Sequence, residues 1–285
     1  MNNDIFPCLW HDGDAGEAAA LYCKIFGGTI TADTPVVVNI DLFGQKLMLL
    51  NGGPHFEKNA SVSFMVICDT EDEVQQYWDQ LLEGGMALMA LDSYPWSKKY
   101  GWVKDRFGTT WQLFLGEKAD EQKLVPTLMF IHQNNGKAKE AMEFYTQTFP
   151  NSKIGNILHY KDGGEPNEVP ENVQHAHFVI DGYSLFCMDN SYDHAFDFNE
   201  GISMVIMTDD QEETDHLWNT LISGGGRESM CGWLKDKYGF SWQIVPKKLI
   251  QLMNDADQGK SQQVVQAMMK MQKIIIKDLE EAYNA

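Results

Sequence analysis

The chain has 285 residues, 44% of them hydrophobic and 22% charged, with 22 basic against 41 acidic side chains and a formal net charge of −19. That length carries an expectation of about two domains, and so acidic a surface repels phosphate backbones, which speaks against a nucleic-acid partner. No run of roughly 18 apolar residues exists, so no membrane span is expected.

Residues 1–4 have neither the basic nor the apolar stretch of a secretory leader. Cys8, Cys23, Cys68, Cys187 and Cys231 form an odd set without close pairing. They read as reduced thiols of a cytoplasmic protein.

In chain order, residues 5–10 read as a strand that stops at His11-Asp12-Gly13. Ala15, Ala18, Tyr22, Ile25 and Phe26 then fall at helical spacing, with Asp12 or Asp14 as cap and Gly27-Gly28 as stop. Strands follow at 36–42 and 46–50, bent at Phe43-Gly44. A strand at 62–68 leads to a helix near 71–83, closed by Gly84-Gly85. Residues 116–123 are polar and read as a linker. Beyond it the order repeats: a strand at 127–131, then a helix with Ala138, Ala141, Tyr145 and Phe149. A further strand at 202–207 and a helix at 211–222 end at Gly224-Gly225-Gly226. Trp78 and Trp218 hold matching core positions in the two later helices.

The halves share one string. Gly101-Trp102-Val103-Lys104-Asp105-Arg106-Phe107-Gly108-Thr109-Thr110-Trp111-Gln112 returns without a gap as Gly232-Trp233-Leu234-Lys235-Asp236-Lys237-Tyr238-Gly239-Phe240-Ser241-Trp242-Gln243. A fainter echo, a Gly followed by alternating apolar positions, begins at Gly44, Gly108, Gly182 and Gly239. These patterns predict an α+β chain of four βαβββ units. A first domain spans 1–118, a second 122–249, and a helical tail 250–285. In the tail Val264, Met268, Met271, Ile275 and Leu279 make one stripe of a helix beginning near Ser261, which docks on this chain or on its twin.

The repeated string running on to Pro246, the string Asn51-Gly52-Gly53-Pro54-His55-Phe56 and the methionine-rich tail resemble the PhnB-like proteins. These are often labelled 3-demethylubiquinone-9 3-methyltransferase. They belong to the vicinal oxygen chelate superfamily of glyoxalase I, bleomycin- and fosfomycin-resistance proteins and extradiol dioxygenases. The resemblance implies curled sheets of paired modules forming cups around a small ligand. The methyltransferase label finds no support in Trp10-His11-Asp12-Gly13-Asp14-Ala15-Gly16, a partial match to the glycine-rich turn of a cofactor-binding parallel sheet.

The resemblance also implies His and Glu metal ligands on the first and last strands of modules. Here those places hold Phe6-Pro7-Cys8, Thr127-Leu128-Met129, residues 61–64 and 203–205, and Gln112 and Gln243. No metal ligand or catalytic residue is therefore assigned, and no cofactor is expected, with a divalent ion as the alternative. His175 and His177 share one strand face and could hold an ion with Asp189; otherwise they are two histidines on an open sheet face. His11 and His132 match each other and can bond the turn or helix that follows. His55 lies in a loop that can rim a cup. Gln112 and Gln243 face either a cup, with Tyr94, Trp96, Trp102 and Trp233 around a partly planar ligand, or a repeated core.

The leading expectation is a binder of a small molecule lacking the usual metal, of unassigned activity. The alternative is a metal-dependent lyase, isomerase or dioxygenase. A third reading is an oligomeric scaffold with filled cups. Expected partners are a small-molecule ligand and, by the superfamily's habit, a second copy in a homodimer.

Overall fold

The computed structural model describes residues 4–118, 121–162 and 168–285. Met1, Asn2 and Asn3, and Ala119 and Asp120 of the expected linker, lie outside the described residues. Four βαβββ modules follow one another. Module 1 is β1 (Ile5–His11), α1 (Ala15–Phe26), β2 (Thr29–Asp33), β3 (Val37–Leu42) and β4 (Gln45–Asn51). Module 2 is β5 (Val62–Cys68), α2 (Glu71–Leu82), β6 (Met86–Tyr94), β7 (Ser97–Lys104) and β8 (Thr110–Leu115). Module 3 is β9 (Leu124–Phe130), α3 (Ala138–Thr148), β10 (Lys153–His159), β11 (Val173–Ile180) and β12 (Tyr183–Asp189). Module 4 is β13 (Ile202–Thr208), α4 (Gln211–Ile222), β14 (Arg227–Glu228), β15 (Trp233–Lys235) and β16 (Ser241–Pro246). Helices α5 (Lys247–Met253), α6 (Gln258–Met268) and α7 (Ile276–Asn284) follow. The α+β class and the fourfold repeat are those that the sequence predicts.

Odd and even modules solve the same local problems differently. Helices α2 and α4 are capped from within, by Thr70 accepting from Glu73 N and Asp210 accepting from Glu213 N. Helix α1 is not capped by Asp14, whose carboxylate is taken by His11 Nδ1 at 2.7 Å. Ala15 N donates instead to Asn51 Oδ1 at the end of β4. In α3 the same service comes from Asp189 at the end of β12, whose Oδ1 accepts from Gly136 N and Ala138 N. The β3–β4 and β11–β12 turns are two-residue hairpins, Phe43-Gly44 and Asp181-Gly182, with positive φ throughout. The even modules use longer turns closed by an aspartate, described below.

The chain divides into two compact units, residues 7–202 and residues 4–6 with 203–285. These units cut across the two halves marked by the repeat. Within the first, modules 2 and 3 share an eight-stranded sheet of order β10-β11-β12-β9-β5-β8-β7-β6. They join where β9 runs antiparallel to β5, with Thr127 opposite Ser63. One face carries α2 and α3; the opposite face is the one that the resemblance expects to line a cup. Module 1 adds β1, parallel to β4, with β3 and β2 beyond. Its α1 packs on β3, burying Ala18, Tyr22, Ile25 and Phe26.

In the second unit β13 runs parallel to β16, and β15 and β14 follow. Asp4 belongs here: its carbonyl accepts from Met207 N at 2.7 Å and its carboxylate from Lys247 Nζ at 3.0 Å. The tail folds on this unit, with Val264, Ile274 and Leu279 joining Leu249 and Leu252 in one buried cluster. The expected single stripe is broken, because α6 stops at Met268 and α7 starts at Ile276. The intervening carbonyls are spent elsewhere: Met271 O accepts from Cys231 N and Gln272 O from Gly232 N, at 2.7 and 2.8 Å. A backbone that pairs with module 4 cannot also close helical turns. Ile274, rather than the expected Ile275, is the buried residue of that stretch.

Candidate ligand-binding cup

Strand alternation divides the shared sheet of modules 2 and 3 cleanly. Trp111 is fully buried on the helix side against Tyr22, Phe26 and Phe64. Its neighbour Gln112 therefore faces the cup. On that face Met65, Ile67, Val125 and Phe186 form an apolar cluster, with Phe114 packed on it. The strands β5, β8, β9 and β12 place no ionisable side chain on it.

The centre of the cup consists of Ser63, Thr127, Gln112 and Phe186. Thr127 lies opposite Ser63 on one side and Phe186 on the other. Gln112 Nε2 donates to Ser63 Oγ at 2.7 Å, and Gln112 Oε1 accepts from Tyr100 OH at 2.7 Å. Two hydroxyls, a doubly engaged amide and a phenyl ring include none of the imidazole or carboxylate ligands that the resemblance implies at these places. Among the described residues no group of three or more His, Cys, Asp or Glu side chains is disposed to hold a metal.

The walls are aromatic and histidine-bearing. Trp102 stands directly opposite Gln112, and its buried Nε1 has no hydrogen-bond partner among the described residues. Tyr94 and Trp96 stack at 5.0 Å, and both meet Tyr100 edge-on. In module 3 His177 stands opposite Phe186, and the rings of His175 and His177 both reach it, at 4.6 and 5.6 Å. His177 Nε2 lies 2.9 Å from Ser184 Oγ. His175 Nε2 is buried without a hydrogen-bond partner among the described residues. Burial, then the neighbouring His177, lowers its pKa to about 4, so the ring is neutral. Asp189 is no third ligand to this pair: it points to the opposite face, where Gly136, Ala138 and Val173 donate backbone N–H groups to it.

The remaining candidates fall elsewhere. Trp233 stands opposite Gln243 in module 4, and Gln243 Nε2 donates to Ser203 Oγ at 3.0 Å. His11 is buried beside Asp14, bonding the turn before its helix as expected, with its pKa lowered to about 4 by burial and Lys58. His132 meets Phe196 O, and His55 is an exposed loop residue.

The repeated string also has a structural explanation. Asp105 accepts from Phe107 N and Thr109 N with one oxygen, and from Tyr22 OH and Trp111 Nε1 with the other. Asp236 likewise accepts from Tyr238 N, Phe240 N and Trp242 Nε1. The matched Asp and Trp are thus two ends of one buried hairpin staple. Sequence reasoning missed Tyr100, Ser63 and Phe186. Tyr100 lies two residues before Trp102, on the same strand face.

Two surface clefts lie away from the cup: one of about 420 Å³ beside α7 with Gln211 and Lys248, and one of about 350 Å³ at Gly84, Lys104 and Arg106. No helix among the described residues is long and apolar enough to cross a membrane.

The paired βαβββ modules have the fold of glyoxalase I. A family model described as 3-demethylubiquinone-9 3-methyltransferase matches residues 3–114 and again 122–245, so the chain belongs to that family and carries its domain twice. Glyoxalase I of Zea mays aligns over 85% of this chain and 91% of its own, at 13% identity and TM-score 0.57, a likeness of fold. The PhnB protein of Bacillus cereus, described as a 3-demethylubiquinone-9 3-methyltransferase, is 31% identical over 38% of this chain and 96% of its own, with TM-score 0.36. A Pseudomonas aeruginosa protein is 25% identical over 40% of this chain and 97% of its own, with TM-score 0.37. None of the curated proteins compared matches the chain.

Proposed function

We propose that the protein binds a small, partly planar molecule in the cup of modules 2 and 3, without a divalent ion at the superfamily's chelating positions. The observation that carries this reading is a pair of buried nitrogens, Trp102 Nε1 and His175 Nε2, without hydrogen-bond partners among the described residues. Each such atom costs about 1–3 kcal/mol when left unpaired, and a guest bearing polar atoms recovers that cost. The apolar floor and the Tyr94–Trp96 stack suit its body. Ser63, Thr127, Gln112 and Phe186 support the metal-free part of the reading, since none is an anionic or imidazole ligand. The βαβββ order of the modules also differs from the alternating strand–helix order of a doubly wound cofactor-binding sheet.

Native mass spectrometry and elemental analysis of the protein as purified test this. The expected result is an added small-molecule mass and only trace metal. One divalent ion per chain, held with micromolar affinity and lost in Gln112→Ala, refutes it.

The second reading is a metal-dependent lyase, isomerase or dioxygenase, favoured by His175 and His177 sharing the inner face. Metal retained after both are changed to alanine rules out that version.

A further inference from the structure

Resting on the cup as binding site, we infer that its guest is an uncharged planar compound carrying a carbonyl-type oxygen. Three features lead there. Indole Nε1 is a donor only, so the buried Trp102 nitrogen calls for an acceptor. Beside the cup floor, β5, β8, β9 and β12 offer no side chain of either sign on the inner face. An ion placed over those four strands is stripped of water with no countercharge on them; the nearest charged side chain on that face, Lys104 opposite Thr110, lies one register step beyond Trp102 on β7. The chain's −19 charge also opposes the approach of anions from afar.

The aromatic wall does not reverse this in favour of a cation. Tyr94 and Trp96 lie face to face at 5.0 Å, with an interplanar angle of 19°. Contact at that separation leaves no slot between the rings for an ammonium group. Tyr100 meets both rings edge-on and directs its hydroxyl to Gln112. A cation also lacks the acceptor that Trp102 needs. On the opposite wall His175 Nε2 offers a second polar contact from a neutral ring.

Three probes with one ring system separate these cases: 2-acetylnaphthalene, 2-naphthoate and 2-naphthyltrimethylammonium. Each is measured by equilibrium dialysis against the full chain and against Trp102→Phe, which keeps an aromatic ring and deletes the donor. The ketone is expected to bind at least tenfold more tightly than either ion. In Trp102→Phe it should lose roughly twofold to twelvefold in affinity, the loss of one neutral hydrogen bond, while circular dichroism is unchanged. An ion that binds as well as the ketone overturns the uncharged guest and leaves the cup as the site. Ketone binding indifferent to Trp102→Phe overturns the assigned acceptor. If none of the three probes binds, the cup reading itself falls.

Discussion

Modules 2 and 4 carry the same string and build the same staple, yet differ at the amide they hold inward. In module 2 both ends of Gln112 are engaged, by Ser63 and by Tyr100, and the residue is 1% exposed. In module 4 Gln243 keeps its serine, Ser203, but the position of Tyr100 is occupied by Cys231. Gln243 Oε1 has no hydrogen-bond partner among the described residues, and the residue is 6% exposed. One tyrosine thus distinguishes the amide of module 2 from that of module 4, which shares only the serine partner. Sequence identity across a repeat therefore certifies the hairpin, whereas the chemistry of the inner face depends on unmatched neighbours.

The comparison can be broken first at its shared element. Asp105→Ala and Asp236→Ala each orphan buried N–H donors and should each cost about 3–5 kcal/mol in urea unfolding. Costs differing by more than about 2 kcal/mol between them mean that the staple is not equivalent in the two modules.

A pH experiment comes next in size. His175 and His11 have folded pKa values near 4 against 6.5 for the free side chain. The unfolded chain thus binds more protons between those values. Their stabilisation is whole above about pH 6.5 and is lost as pH falls towards 4, by up to about 3 kcal/mol for each. Both lie in the unit of residues 7–202, whereas the one histidine of the other unit, His216, is exposed. Hydrogen exchange at pH 7 and pH 5 should show protection falling mainly in the first unit. Equal loss in both would contradict this, and His175→Phe should remove part of the asymmetry.

Tyr100→Phe should cost about 1 kcal/mol and free Gln112 Oε1, making module 2 resemble module 4. Cys231→Ser should shift thermal unfolding far less, and a shift as large as that of Tyr100→Phe would remove the distinction between them. The smallest effect is at the helix caps. Thr70→Ala and Asp210→Ala should each cost about 0.5–1 kcal/mol, read as small and similar drops in melting temperature.

Legibility in the sequence followed burial. Strand β5 and helix α4 have the predicted ends, 62–68 and 211–222. In β5 every residue is buried, and α4 sets Leu217, Trp218 and Leu221 on one stripe behind an Asp210 cap. Strand β2 was not read at all: its five residues are exposed, so Thr29–Asp33 shows no alternation. The caps of α1 and α3 were unreadable because Asn51 and Asp189 arrive from the far end of each module. The same holds for the tail, whose helical periodicity was overridden by the backbone of Cys231 and Gly232. Trp102 and Gln112 stand out through the repeat, and they lie opposite each other on one sheet face. Tyr100 does not stand out, since Cys231 in the other copy gives it no match.

The hydrogen bond from Met207 to Asp4 has a consequence for the chain on the ribosome. At about 5–20 residues per second, the start of the first strand emerges roughly 10–40 seconds before its partner exists. Through that interval the leading residues of an apolar strand lack their native neighbour.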